Sequence, residues 1–267
     1  NQGHYIKDAL ESLKKCDQHL FETIIINDGS TDPFTNQYLS ELQKEGYQVI
    51  FQENMGLGGA RNSGIKRAGG EYILPLDSDN RIYPGYITKS LEVFEKDKEA
   101  AVVYGNANYF GNQTGILKPG PFNLQRLMLS NYIDACAVIR KSAIEEVGYY
   151  DNMKIMGFED WDLWLRVAFK GYRFRYIDEV LFDYRVVTNS MMRSLNANIK
   201  KQNEVKDYIL NKYADKLDFE FVENFFVYKL KKSPFNFAYR IVLKKYFPKY
   251  YNKLIQDNKI FKGIIYE

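Results

Sequence analysis

Two short apolar runs stop at acid-bearing turns, and nothing else in the chain constrains its fold as much. Residues 21–26 (FETIII) run into Asn27-Asp28-Gly29-Ser30, and residues 71–76 (EYILPL) run into Asp77-Ser78-Asp79. Runs of this length that end in turn residues read as buried strands of a parallel sheet. Tyr47 to Phe51 and Ala101 to Tyr104 read as further strands. Around them, residues 4–15, 35–45, 60–69 and 84–97 carry apolar residues at helical spacing, the last opening at Pro84. The alternation predicts an α/β fold, a mostly parallel sheet flanked by helices. In such sheets ligands collect at the carboxyl ends of the strands, where both acid-bearing turns fall.

The second half is more irregular. Residues 105–133 scatter Gly, Asn and Pro and read as a loop-rich excursion. A strand at 134–139, a helix at 141–147 and short strands at 174–177 and 180–184 follow. Gly157-Phe158-Glu159-Asp160 precedes an amphipathic helix at 161–170, with Trp161, Leu165 and Ala168 on one face. From about residue 192 the pattern is helical. The expected division is a domain over 1–190 and a helical extension over 191–267.

Composition excludes several kinds of chemistry. The 267 residues are 45% apolar and 27% charged, an ordinary globular balance, and no apolar run is long enough to cross a bilayer. The cysteines, Cys16 and Cys136, form no CxxC pair, which argues against a disulfide framework or zinc knuckle and fits a reducing compartment. With only His4 and His19, acid–base and metal chemistry must fall to carboxylates. These features fit a cytoplasmic chain.

Four stretches could carry that chemistry. Asp77 and Asp79, two apart on a turn, can aim at one Mg²⁺ or Mn²⁺, or merely cap and turn the chain. Asp28 at a strand end can accept hydrogen bonds from a base or ribose, or simply serve a tight turn. Residues 54–64 (NMGLGGARNSG) form a Gly-rich loop feeding a helix, in which Arg61 could meet a diphosphate. Glu159 and Asp160 are ordinary helix-start acids or a general base at a cleft edge. Trp161 and Trp164 read as packing residues.

In order along the chain, strand-NDGSTD, N-x-G-x-G-G-A-R-N-x-G, GEYI-x-x-LDSDN and G-F-E-D-W-D-L-W-L-R resemble the motifs of family 2 glycosyltransferases, with the nucleotide-diphospho-sugar transferase fold called GT-A. The resemblance covers roughly residues 1 to 190. It implies that Asp28 reads the nucleotide base and that Arg61 lies near the nucleotide. Asp79 would hold Mn²⁺ or Mg²⁺, with Asp77 beside the ribose or an outer-shell water. Asp160 would be the catalytic base, with Glu159 and Trp161 toward the acceptor. The stretch Tyr184-Arg185-Val186-Val187-Thr188-Asn189-Ser190 would place Arg185 near the diphosphate on a flexible lid. The implied reaction is inverting, metal-dependent transfer of a sugar from a nucleotide-diphospho-sugar, with a UDP-sugar first among donors. The acceptor would be a hydroxyl of a glycan or lipid-linked acceptor in bacterial surface polysaccharide synthesis. The rival readings are a non-catalytic nucleotide-sugar-binding module and a sugar-1-phosphate nucleotidyltransferase.

Three departures qualify the resemblance. The family usually opens with a strand ending in P-x-Y-N, and this chain starts near that Asn, so upstream residues are expected. Val187 stands where many relatives have a histidine ligand. No Q-x-x-R-W follows the acid pair, which argues against a processive synthase.

Charge is unevenly spread. Residues 229–262 contain ten Lys/Arg and one acid, so they carry +9 of a net +3 and leave the remainder at −6. Residues 221–265 interleave these cations with Phe, Tyr, Leu and Ile. A basic amphipathic tail of this kind fits an anionic membrane surface, making the chain peripheral on the inner face of the membrane, or is a solvated helix packed on the catalytic domain. Nucleic acid is a poorer match, since the body is acidic and no base-reading module is present.

Overall fold

The computed structural model describes residues 1–151, 157–187, 199–216 and 219–256. The chain falls into two units: residues 1–122 with 133–202, and residues 123–132 with 203–267.

The first unit is α/β, as expected. It opens with α1 (Gly3–Leu13), β1 (Ile24–Asp28), α2 (Pro33–Lys44) and β2 (Gln48–Gln52). β1 and β2 pair in parallel, Ile24 opposite Gln48 through Asp28 opposite Gln52. Ile6 and Leu10 of α1, Leu39 and Leu42 of α2, Ile25 and Val49 form the core over this pair. Asp32 caps α2 by accepting the Thr35 N–H at 2.8 Å, and Pro33 sets its first turn.

The remaining strands form a second sheet. They are β3 (Tyr72–Ile73), β4 (Arg81–Ile82), β5 (Ala100–Gly111), β6 (Gly115–Leu117), β7 (Val138–Arg140) and β8 (Arg173–Val186). Their order is β3-β7-β5-β8-β4, with β6 on β5. β5 and β8 are parallel, but β3/β7, β5/β7, β4/β8 and β5/β6 are antiparallel. The sheet is therefore mixed rather than mostly parallel. The sequence misleads here because a strand buried on both faces reads as the same apolar run whichever way its neighbours point. β5 is the central strand, buried from Ala100 through Ala107.

Other boundaries shift for identifiable reasons. The excursion expected at 105–133 begins as the outer half of β5 and turns back as β6. The two strands expected at 174–177 and 180–184 are one strand with a register irregularity, where Gly105 opposes Ile177 and Asn106 opposes Val180. Asp178, in that irregularity, accepts hydrogen bonds from Asn106 Nδ2 at 2.9 Å and the Tyr176 hydroxyl at 2.8 Å. Gly105 suits this place because a Cβ would sit 2.9 Å from the Ile177 carbonyl oxygen and would also crowd the Leu181 side chain.

Helices α3 (Gly56–Arg67), α4 (Gly85–Lys96), α6 (Lys141–Val147) and α7 (Glu159–Phe169) complete the unit. Tyr86 and Phe94 of α4 pack with Val103, Ala107, Val138 and Phe182 of the sheet in its main core. Cys16 and Cys136 are free thiols inside that core, where they fill space as small apolar groups.

The second unit contains α5 (Leu124–Leu129), α8 (Ile199–Lys212) from residue 203 on, α9 (Phe219–Lys232), α10 (Pro234–Tyr246) and α11 (Pro248–Gln256). α5 packs on α9, so the segment 123–132 goes with the helical extension rather than with a domain over 1–190. Among the described residues, no helix is long and apolar enough to cross a membrane.

Candidate active site

The first turn of the site follows β1. Asp28 ends the strand, and its Oδ1 accepts Gln52 Nε2 at 2.7 Å and the Met55 N–H at 2.8 Å. Gly29 turns the chain at φ +65°, where a Cβ would lie 2.8 Å from the Asn54 nitrogen, so glycine is needed on both counts. The Asn1 side chain steadies the loop by accepting the Thr31 and Asp32 N–H groups at 2.7 and 2.9 Å. Asp28 thus organises two loops of its own chain.

The Gly-rich stretch is not a loop. Gly56 to Gly59 form the first turn of α3, and the glycines serve close packing. A Cβ on Gly58 would meet the Asp151 carbonyl at 3.1 Å and Glu159 Cγ at 3.5 Å. Asn62 then clasps the facing segment, giving Nδ2 to the Tyr150 carbonyl and taking the Tyr150 N–H, both at 2.9 Å. This clasp sets Arg61, one residue earlier on α3. The Arg61 side chain is largely buried, its Nη2 donates to Asp77 Oδ1 at 2.9 Å, and its guanidinium lies 5.4 Å from the Tyr150 ring centre. Burial works against its charge, but Asp77, Tyr150 and Asp160 raise its pKa and keep it protonated.

The second turn, Asp77 to Asn80, is pinned from several sides. The Ser78 hydroxyl donates to Gln2 Oε1 at 2.7 Å. Buried Asn80 accepts the Arg185 N–H from β8 at 2.9 Å. Asp79 sits beside Asp77, and burial together with that neighbour pushes its carboxyl up to about 6. Arg185 Nε donates to the Asp79 carbonyl at 3.0 Å. The same guanidinium pairs with Asp8 of α1 and stacks 4.6 Å from Tyr5 and 4.3 Å from Phe110. Arg185 is therefore anchored at the end of a strand and braces the acid turn, rather than riding on a flexible lid. Thr188, Asn189 and Ser190, the end of the stretch expected to form that lid, lie outside the described residues.

The third group comes from α7. Glu159, Asp160 and Asp162 stand in its first turn, where the helix dipole favours acids. Glu159 and Trp161 are each only 2% exposed. Glu159 takes the Gly157 N–H at 2.8 Å, closing the turn that enters the helix. Asp160 is half-buried and acts electrostatically on Arg61, Tyr150 and an acid that sequence reasoning passed over, Asp134. Trp164 packs in the core, its indole N–H reaching the Ile133 carbonyl at 3.0 Å.

Asp134 lies just ahead of β7 and accepts the Cys136 N–H at 2.8 Å. Burial and the nearby Asp77 push its carboxyl up to about 7; the Cys136 N–H and Arg61 pull against this, and Asp160 adds to it. Tyr184 of β8 belongs to the same neighbourhood: burial and then Asp134, Asp77 and Asp79 raise its hydroxyl pKa. Asp134 belongs to no recognisable motif, and Tyr184, although it opens the stretch that ends at Ser190, has no expected role there. The only signal in the sequence was an acid at the mouth of an otherwise apolar run, Asp134-Ala-Cys-Ala-Val-Ile139.

The raised carboxyl makes a stability prediction. Between its ordinary value of 3.8 and about 7, folded Asp134 keeps a proton that the unfolded chain has released. Stability therefore falls as pH rises through that window. Asp134→Asn removes the effect and should stabilise the fold by about 1–2 kcal/mol at pH 8, with no gain at pH 4. Thermal midpoints of both proteins across pH check this, and parallel curves would count against it.

The site gathers a buried guanidinium, a braced acid pair and two further acids at one edge of an α/β unit. The model for Glycosyl transferase family 2 matches residues 1–148, and the chain belongs to that family. An uncharacterized glycosyltransferase of Methanocaldococcus jannaschii is 26% identical over 216 residues, 77% of this chain and 73% of that one. The poly-β-1,6-N-acetyl-D-glucosamine synthase of Staphylococcus aureus is 29% identical over 191 residues, 66% of this chain and 45% of the synthase. Several Rickettsia relatives are longer, and the chain spans 40–66% of their length. Among solved structures, S. aureus TarS 1–349 in complex with UDP-GlcNAc superposes with a TM-score of 0.59 at 20% identity, over 81% of this chain and 73% of that one. That likeness shows the GT-A fold.

Proposed function

We propose that the chain transfers a sugar from a UDP-sugar to an acceptor hydroxyl, with inversion and with a divalent cation bound. The observation that carries the reading is the electrostatic neighbourhood that Arg61 shares with Asp77, Asp134 and Asp160. The TarS complex with UDP-GlcNAc makes UDP the first nucleotide to test.

The donor set fits Mg²⁺ or Mn²⁺. Asp79 and Asp77 are neighbouring carboxylates; burial, and after it the charge of Asp77, raise the Asp79 carboxyl, and a bound cation would favour its ionised form. Such ions commonly take one or two carboxylates plus phosphate oxygens. When bound, the cation supplies charge neutralisation for the leaving diphosphate. Asp28 would meet the base from the end of β1, and Arg61 would hold the nucleotide side of the acid pair. Asp160 takes the proton of the attacking hydroxyl as the new bond forms at the anomeric carbon. One base and one in-line displacement invert that carbon, without a carboxylate nucleophile. Asp134, whose carboxyl feels the charge of Asp160, would hydrogen-bond the acceptor. A glycan or lipid-linked acceptor in surface polysaccharide synthesis suits these roles.

Thermal unfolding with UDP, GDP, CDP and dTDP, each with and without Mn²⁺, tests the reading. A ligand at a hundred times its Kd adds about 2.7 kcal/mol. The expected result is a shift for UDP that requires the metal and disappears in Asp79→Ala. A shift for another nucleotide alone would replace the donor, and none at all would leave a non-catalytic relative.

A further inference from the structure

Helix α10 carries Phe235, Tyr239, Val242 and Tyr246 at spacings of four, three and four. At 3.6 residues per turn these positions fall within an arc of about 60°. A stripe of this kind normally faces a core. Here it faces outward: Phe235 is 89% exposed, Tyr239 52%, Val242 46% and Tyr246 63%. Phe247, between the helices, and Tyr250, on α11, extend the exposed apolar surface at 57% and 53%. Leu243, off the stripe, is buried. Residues 234–256 contain five cations, Arg240, Lys244, Lys245, Lys249 and Lys253, and no acid. All four lysines are exposed.

We propose that the outer face of α10 and α11 docks in the plane of an anionic bilayer. Aromatic rings suit the headgroup boundary, where one side is apolar and the other wet. Lysines beside them extend their charged ends to anionic headgroups while their stems cover apolar surface. A protein partner of ordinary composition would find no acid on this face to pair with its own cations, whereas a lipid surface asks only for positive charge and insertable rings. No described helix is long enough to span, so the helices lie along the surface. The proposal does not depend on the transferase reading, since a chain that bound no nucleotide could still bind vesicles.

The test is co-sedimentation of the full chain with vesicles of phosphatidylcholine alone and of phosphatidylcholine with phosphatidylglycerol. Binding should require the anionic lipid and weaken at high salt. Lys244→Gln, Lys245→Gln and Lys249→Gln together should weaken partition about 100-fold, at roughly 1 kcal/mol per surface lysine. These side chains are exposed, so circular dichroism and the thermal midpoint should match the parent. Phe235→Ser with Tyr246→Ser should reduce binding even at low salt, which charge alone would not do. Equal binding to both vesicle types, or unchanged binding by the lysine variant, overturns the proposal. So does a dimer, seen by light scattering, that the aromatic variant dissolves while vesicle binding is absent.

Discussion

Asp160→Asn should lower the rate of sugar transfer by about 10²- to 10⁴-fold while leaving the thermal shift by nucleotide and metal in place. The two halves of that expectation come from different parts of the site. Asp160 sits in the first turn of α7, half-buried, with its field reaching Arg61, Asp134 and Tyr150. Asparagine keeps the size and the helix-start position but cannot take a proton. The proposed nucleotide side uses Asp28, Arg61 and the Asp77–Asp79 turn instead, on other elements. Single-turnover transfer and thermal shift on the same preparation separate them. Retained turnover would remove Asp160 as the base.

Arg61→Met should damage both fold and binding. Its guanidinium is the cation set against Asp77 at 2.9 Å, and it is one of the groups that pull down the raised carboxyl of Asp134. Without it, like charges face one another in a largely buried place. Removing one partner of a fully buried pair typically costs 3–5 kcal/mol; Asp77 is partly exposed, so about 2 kcal/mol is expected at pH 7. The loss should shrink as pH falls, because protonated carboxyls no longer need the cation. Nucleotide affinity should not recover at low pH, since a diphosphate also needs the missing charge. Arg61→Lys should restore part of the stability but less of the binding, as an ammonium lacks the planar fork. Urea unfolding and nucleotide titration at two pH values read these effects apart. A pH-independent loss would mean that Arg61 acts mainly through packing on Tyr150.

How far the sequence could be read follows from what each residue depends on. Asp28 was legible because it ends a strand, and strand ends are visible locally; Asp77 and Asp79 follow an apolar run of which only Tyr72–Ile73 is strand, so their turn was legible but the strand before it was overdrawn. Arg61 was legible through its motif, but the purpose of the glycines before it was not. Gly58 answers to Asp151 and Glu159, nearly a hundred residues on, and no local pattern reports such a neighbour. Asp134 and Tyr184 were missed for the same reason: strands distant in the chain bring them to the acids. Sheet direction was misread because burial on both faces erases alternation. Arg185 was expected to be mobile because it closes a motif at a loop, yet Asp8, Tyr5 and Phe110 hold it still.

Asp8 is shared. Its Oδ2 meets Arg81 at 2.6 Å and also pairs with Arg185, and both arginines stack over Phe110. One acid on the first helix thus balances two cations that flank the Asp77–Asp79 turn. A change at this single acid therefore reaches both cations at once. Losing Asp8 would leave two unbalanced positive charges next to the turn, and losing Arg185 would strip the turn of its brace, so the first helix and the last strand of the unit are coupled across 177 residues of chain.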